Sequence, residues 1–412
     1  MSVPLALGVA LSLAQDPRPA ALEPWQAALG FRALVAEDSL AGWHPFGKPG
    51  VPARGWEVAG GVLHLPKAAG AGDLVSDARF GDFELLFEWK VAPGGNGGVK
   101  YRFADERAVG RVLGPEYQLL DDAAHPDAAR PETSAGALYA LAEPCAEKPL
   151  RPAGEWNEGR VIARGARLEH WLNGTRLLAL EVGSEAWNER KAASKFAAVE
   201  DFATHVPSSI ALQDHGDELW LRGVLVRELA PLGPEARALF DGKTTTGWTL
   251  VGAGEVRVEQ GELVGIGGAG KGFLIHELRP ADFVLELELV NDAPANSGIQ
   301  IRSRLEGAAV LGYQIEVDPS ERAWSGGLYE EGRAWIASLE HDPLARTAFR
   351  PGQWNHYRIE CAGPVIRAWV NGILTCDYRQ AAPAAGVIAL QLHDPQTRMR
   401  WRNLRLVDLR AR

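Results

Sequence analysis

Cysteine and methionine are scarce: three Cys (Cys145, Cys361 and Cys376) and two Met in 412 residues. Three thiols exclude a disulfide framework. Cys361 and Cys376 fall on runs that read as strands flanking a common third strand. That places them roughly 9–10 Å apart, beyond the reach of an S–S bond. All three read as unpaired, and they form no metal-binding pattern. No basic run offsets the formal net charge of −10, which removes nucleic acid as a partner. No apolar stretch is long enough to cross a bilayer. Val3 to Leu13 is apolar and Ser12-Leu13-Ala14 resembles a small-x-small cleavage site, but no Lys or Arg precedes it. The expectation is a signal peptide and a periplasmic or secreted protein, with a ragged chain start as the alternative. Nucleotide and flavin signatures are missing too, because Gly-rich runs such as Gly265 to Gly272 lack the strand-to-helix context that phosphate binding needs. Only Ala186 to Ala203 reads as helical or irregular.

What the chain does have, it has twice. Asp82-Phe83-Glu84-Leu85, Asn96-Gly97-Gly98-Val99, Tyr117-Gln118, Gly136-Ala137-Leu138-Tyr139, Trp156-Asn157, Leu172-Asn173-Gly174 and Ala211-Leu212-Gln213-Asp214-His215 run through the first half. Asp282-Phe283-Val284-Leu285, Asn296-Ser297-Gly298-Ile299, Tyr313-Gln314, Gly326-Gly327-Leu328-Tyr329, Trp354-Asn355, Val370-Asn371-Gly372 and Ala389-Leu390-Gln391-Leu392-His393 follow in the same order. The offset drifts only from 200 (Asp82 to Asp282) to 178 (His215 to His393). Such steadiness predicts a tandem duplication of a large domain. The expected organisation is a Pro/Ala-rich lead over 1–29, a first copy over 30–230, a linker over 231–237 around Pro231-Leu232-Gly233-Pro234, and a diverged second copy over 238–412.

Both copies show period-two runs. Phe83, Leu85, Phe87 and Trp89 alternate with Glu84, Leu86, Glu88 and Lys90, and Phe283, Leu285, Leu287 and Leu289 repeat the phase. These are strands with one buried face, and Asn173-Gly174 and Asn371-Gly372 are two-residue hairpin signals. The fold expected is all-β, as two tandem jelly-roll β-sandwiches.

Alternation also separates inward from outward residues. With Val99, Tyr101, Tyr117, Leu119, Ile210 and Leu212 inward, the outward set is Lys100, Arg102, Glu116, Gln118, Gln213 and His215. The second copy gives Gln300, Arg302, Gln314, Glu316, Gln391 and His393. Arg, Gln and His forks suit sugar hydroxyls and carbonyls, so a ligand groove is one reading and a solvated polar ladder the other. Trp171 and Trp369 also fall outward, where an indole face can stack on a sugar or be covered by the other half of the chain. Trp156 and Trp354 read as core pegs. Asp121, Asp122 and Asp127 make an acidic turn whose spacing is not diagnostic of calcium; no cofactor is called for, and a structural or catalytic divalent metal stays open as the alternative.

At these residues the chain resembles the 3-keto-disaccharide hydrolase domain family, whose sandwich is of concanavalin A-like lectin/glucanase type. The first copy carries Gly42-Trp43, Asp82-Phe83-Glu84, Gly95-Asn96-Gly97-Gly98-Val99, Arg102, Glu116-Tyr117-Gln118-Leu119-Leu120-Asp121, Gly136-Ala137-Leu138-Tyr139, Lys148-Pro149, Gly154-Glu155-Trp156-Asn157, Ser194-Lys195-Phe196 and Leu212-Gln213-Asp214-His215-Gly216. The second matches more loosely. Leu392 stands where Asp214 stands, Gly312 is aligned with Glu116, and Lys148 and Ser194-Lys195-Phe196 have no match. The resemblance implies that the first copy cleaves glycosides already oxidised to a ketone at carbon 3, and that the second is a binding or scaffold repeat.

A ketone acidifies the carbon 2 proton, so elimination of the aglycone followed by hydration needs a base, a proton donor and a stabiliser for the enolate. The expected assignment is His215 as base or acid oriented by Asp214, Glu116 as its partner, and Arg102 at the enolate. Tyr139 and Lys148 are further donors, and Lys100, Gln118, Asp121, Gln213 and Trp171 bind the sugar. The ligand is then a small carbohydrate, and an upstream sugar 3-oxidase or dehydrogenase supplies it. Two rivals remain at this point. One is a noncatalytic lectin-like protein. The other is an ordinary two-carboxylate glycosidase, against which the strand Glu116, Gln118, Leu120 offers one acid only.

Overall fold

The computed structural model describes residues 22–104, 112–292, 295–382 and 384–410. The expected signal segment, Val3 to Ala14, lies outside the described residues. The architecture is all-β. In the first half an eight-stranded antiparallel sheet runs in the order Thr175–Glu181, Arg167–Leu172, Asn157–Arg164, Phe83–Val91, Leu219–Glu228, Val62–Leu65, Glu57–Ala59, with Arg32–Ala33 added on Leu219–Glu228. Opposite it lies a five-stranded sheet, Trp43–Pro45, Leu74–Ser76, Ala211–Leu212, Asn96–Lys100, Glu116–Leu120. Phe83, Leu85, Phe87 and Trp89 from one sheet meet Val99, Tyr117, Leu119 and Leu212 from the other in a single core. Asn173 (φ +47°) and Gly174 (φ +83°) turn the predicted hairpin, and Asn371 (+49°) and Gly372 (+82°) turn its counterpart. Both central residues sit at positive φ, the conformation that favours Asn-Gly. The helical stretch is realised as Glu185–Ala193, capped by Ser184 Oγ.

The second half joins thirteen strands into one hydrogen-bonded sheet. The cause is the strand Glu262–His276, which pairs with Arg398–Asp408 through Leu263–Ile266 and then with Val387–Leu392 through Gly272–Ile275. In the first half two separate strands, Val62–Leu65 and Leu74–Ser76, do these two jobs. The Gly265 to Gly272 run is thus a strand crossing between layers. Gly270 has φ +131°, and a Cβ on Gly267 would sit 1.8 Å from the Asp394 carbonyl, so side chains are excluded where the strand bends.

The outward faces of the two long sheets pack against each other, which corrects the expectation for Trp171. It is buried among Ile162, Leu229, Trp369 and Leu374, with Arg176 4.5 Å over its ring. Outward from one sandwich here means inward between two. An ion network fills the same seam. Arg367 donates to Glu84 (3.1 Å) and to Asp377 (2.9 Å), Arg160 donates to Asp377 (2.5 Å), and Arg227 bridges Glu84 and Glu360. Glu84, Glu360 and Arg367 are fully buried. Burial alone would raise the Glu84 carboxyl, but Arg367, Arg227 and Arg160 outweigh it and hold the group below its usual range. Trp25 and Phe31 close one end of the seam with Leu86, Leu225, Ala362 and Val365. Trp156 and Trp354 are not core pegs: each lies half-buried with an arginine over its ring, Arg222 at 4.1 Å and Arg402 at 3.9 Å. Cys361 and Cys376 are free, on the strands Asn355–Ala362 and Ile373–Tyr378 either side of Val365–Val370.

Removing one member of such a network leaves its partners charged and buried, at a cost of about 3–5 kcal/mol. Arg367→Met should therefore lower stability by that amount in urea unfolding and split a shared calorimetric transition into two. An unchanged single transition would show that the seam does not couple the halves.

Candidate functional site

The free face of the five-stranded sheet is the concave one, and its register explains the dip. Gln213, Gly98 and Gln118 lie in one row across the sheet, and Ala211, Lys100 and Glu116 in the next. Gly98 supplies no side chain to the middle of the first row. A Cβ there would lie 2.3 Å from Glu116 Oε1, so the glycine makes room for the carboxyl that leans over it. A cavity of about 410 Å³ results, lined among others by Asp73, Asn96, Lys100, Glu116, Gln118, Tyr139, Lys195, Phe196, Gln213 and His215.

Its polar groups form a four-membered chain from Asp73 to Glu116 and a separate Gln118–Asn96 pair. Asp73 Oδ2 accepts from Lys100 Nζ at 3.2 Å. With its amide oriented by the hydrogen bonds available, Gln213 accepts from Lys100 Nζ at 3.0 Å and donates to Glu116 Oε1 at 3.1 Å. Gln118 Nε2 donates to Asn96 Oδ1 at 3.0 Å. Burial pushes the Glu116 carboxyl up to about 7, against the pull of Lys100 and Lys195. A carboxyl poised there can both take and give a proton near neutrality. Burial likewise raises the Tyr139 hydroxyl, helped by the negative charge of Asp127 and Glu116, and Lys195 Nζ lies 4.2 Å over the Tyr139 ring.

Five of the expected site residues therefore share the cavity with Tyr139: Lys100, Glu116, Gln118, Gln213 and His215. Arg102 does not. The strand ends at Lys100, Arg102 has φ +49°, and its guanidinium turns to Asp82, 3.6 Å away and away from the groove. Arg302 repeats this with φ +48°, donating to the Ala281 and Gly363 carbonyls and to Asp282. Strand alternation fails at both because a left-handed residue breaks it. Asp214 does not orient His215; it accepts from the Gly72 and Gly216 amides and pins the loop. The carboxylate beside His215 is Asp217, 3.6 Å from Nδ1. Asp121 caps the Gly94 and Ala123 amides, and Lys148 is held by Asp122, Ser134 Oγ and the Ala135 carbonyl. Neither lines the cavity. Sequence reasoning missed Asp73, Asn96 and Lys195 as site residues. Asp73 precedes the three-residue strand Leu74–Ser76, too short to show alternation. Asn96 and Lys195 lay in quoted motifs without a role.

The second half departs further than its motifs suggest. Glu316, not Gln314, pairs with Gly298, and Ile315 with Ile299, as Gln118 and Tyr117 pair with Gly98 and Val99. The Tyr-Gln landmark is thus two residues out of register. Gln314 occupies the place of Glu116, leaning over Gly298, Glu316 that of Gln118, and Gln300 that of Lys100. A neutral amide pair, Gln300 Nε2 to Gln314 Oε1 at 2.7 Å, replaces the ionisable one. Phe273 stands in the place of Asp73 and packs on Val310, Val387 and Ala389. Gln300, Gln314, Glu316 and Gln391 are all buried, with Gln391 donating to Glu331. His393 is half-exposed beside Asp394.

Lys100→Met removes the nearest cation from Glu116. Carbon-13 NMR of the carboxyl should show its midpoint move upward from about 7; a midpoint that stays or falls contradicts the assignment of forces.

Among the described residues no helix is long and apolar enough to cross a membrane. The chain is 27% identical over 230 residues to a 3-keto-disaccharide hydrolase of Bacteroides thetaiotaomicron, covering 48% of this chain and 79% of that protein. Two crystal structures from Parabacteroides distasonis ATCC 8503, described as candidate glycosyl hydrolases, also match. One is 28% identical with TM-score 0.48 over 52% of this chain and 100% of that one, and the other 25% identical with TM-score 0.34 over 45% and 99%. The family model of the 3-keto-α-glucoside-1,2-lyase-like domain matches residues 30–227 and 235–407, and the chain belongs to that family.

Proposed function

We propose that the first half cleaves glycosides carrying a ketone at carbon 3, by elimination and hydration at the Glu116 cavity. The observation that carries this reading is a carboxyl buried beside Lys100 and Gln213 and raised to about 7. The relation to a 3-keto-disaccharide hydrolase supports the substrate class. Glu116 takes the carbon 2 proton, the electron pair moves toward the ketone oxygen, and Lys100 and Lys195 supply positive charge near the enolate. The carbon 1–oxygen bond then breaks, and the leaving oxygen takes a proton from His215 at the rim. Water adds across the new double bond, its hydroxyl to carbon 1 and a proton to carbon 2, giving the free 3-keto sugar. Asp73 and Gln213 are positioning residues for Lys100. The second half, with amides where the first has Lys100 and Glu116, serves as a scaffold. The ketone must be installed earlier by a sugar 3-oxidase or dehydrogenase, and export to the periplasm or beyond belongs to this reading.

Glu116 works as the carboxylate, so kcat/KM for a 3-keto-glucoside should fall as pH drops below about 7. Glu116→Gln should cost about 10²–10⁴ in kcat and His215→Ala at least about 10², while the unoxidised glucoside is left uncleaved by every form. Retained turnover in Glu116→Gln, or equal cleavage of the unoxidised sugar, defeats the reading.

A further inference from the structure

With Arg102 turned away, the reaction lacks the fixed cation first expected at the enolate. The mouth of the same cavity holds a donor set of another kind. His125, His215 and Asp217 each offer a ligand atom, and the three atoms lie within 4.8 Å of one another. His215 Nδ1 and Asp217 Oδ2 are 3.6 Å apart, and the two imidazoles meet edge to face with centroids 6.1 Å apart. From this we infer that the trio binds one divalent first-row transition metal ion, which meets the ketone oxygen of the substrate; His215 then acts as a ligand, and the proton for the leaving oxygen comes from Tyr139, which lines the same cavity.

Two imidazoles and one carboxylate suit zinc, manganese or cobalt, where calcium and magnesium prefer all-oxygen shells. Metal–ligand bonds of about 2.0–2.2 Å place neighbouring donors roughly 3–4 Å apart, so closure asks only for small side-chain rotations. His215 is 45% exposed and Asp217 25% exposed, which leaves coordination positions open toward the cavity that His215 lines. One contact works against loading. The Asp127 amide donates to His125 Nδ1 at 3.1 Å, which keeps the proton on Nε2, so a cation at Nε2 has to move that proton to Nδ1 and give up the amide contact.

The comparison between halves points the same way. The register that aligns Leu212 with Leu390 keeps a histidine, His393, at the place of His215, but puts Pro395 at the place of Asp217. No histidine lies between Asp318 and Gly326, the short counterpart of the segment that carries His125. The second half keeps a carboxylate beside its histidine, Asp394 at 3.2 Å from His393, but has no second histidine there, and it is the half that also lacks the Lys100–Glu116 pair. The donor set goes with the acid–base pair, as a reaction component would and a turn-stabilising cluster need not.

The role at the ketone rests on the 3-keto-glycoside reading, but binding is measured without sugar, so the two fail separately. The full chain is stripped with a chelator, loaded with Zn²⁺ or Mn²⁺, and assayed by elemental analysis and titration calorimetry. One equivalent per chain is expected, falling below about 0.1 in His125→Ala and Asp217→Asn, both of which should keep the wild-type melting temperature. Two equivalents, none, or one equivalent retained in both variants overturns the site. Turnover of a 3-keto-glucoside should fall at least about tenfold on stripping and return with the metal; turnover indifferent to the metal overturns its role at the ketone.

Discussion

The chemistry proposed for this chain depends on the desolvation of one carboxyl. Glu116 lies over Gly98, within a strand buried along its length, with Gln213 as its hydrogen-bond donor. In water such a group is ionised at neutral pH and a feeble base. Here burial lifts it to about 7 while Lys100 and Lys195 keep it from rising further. The balance depends on backbone features remote from the charge: the missing Cβ at Gly98, the register that sets Lys100 opposite Glu116, and Asp73 holding Lys100 in place. Where Gln300 and Gln314 occupy the corresponding positions, the geometry survives and the charge does not.

The seam between the halves decides which face is available for that chemistry. Each sandwich has two outward faces. The ion network around Glu84, Arg367 and Asp377, with Trp171 and Trp369 beside it, consumes the long-sheet face of both. What is left to the first half is the concave face of its five-stranded sheet. The second half is fixed to it by buried charges that are costly to separate, which under the proposed function makes it a mounting for the first.

Much of this was legible in the residues themselves. Period-two alternation was enough to place Lys100, Glu116 and Gln118 on one face, because their strands are regular; Gln213 and His215 follow the two-residue strand Ala211–Leu212 and still reach the same cavity. It misplaced Arg102 and Arg302 because a residue at positive φ leaves the alternation, and nothing in their identity signals that. It made Trp171 outward, correctly, but outward became an interface once a second sandwich was present. Motif spelling misled as well. Tyr313-Gln314 copies the letters of Tyr117-Gln118, yet the hydrogen-bond register places it two residues away, which only the strand pairing reveals. Asp73 and Asp217 were invisible for a simpler reason: they flank strands and loops that have no period.

The central claim is that the carbon 2 proton leaves during cleavage. The most direct measurement is the reaction of a 3-keto-glucoside in D₂O, followed by proton NMR and mass spectrometry of the released sugar against unreacted substrate. Elimination and hydration at Glu116 predict deuterium at carbon 2 of the product and protium in the remaining substrate. A product that keeps its carbon 2 proton, together with an unchanged rate when carbon 2 of the substrate carries deuterium, would mean that the glycosidic bond is broken by direct displacement, and the account given for Glu116 would be wrong.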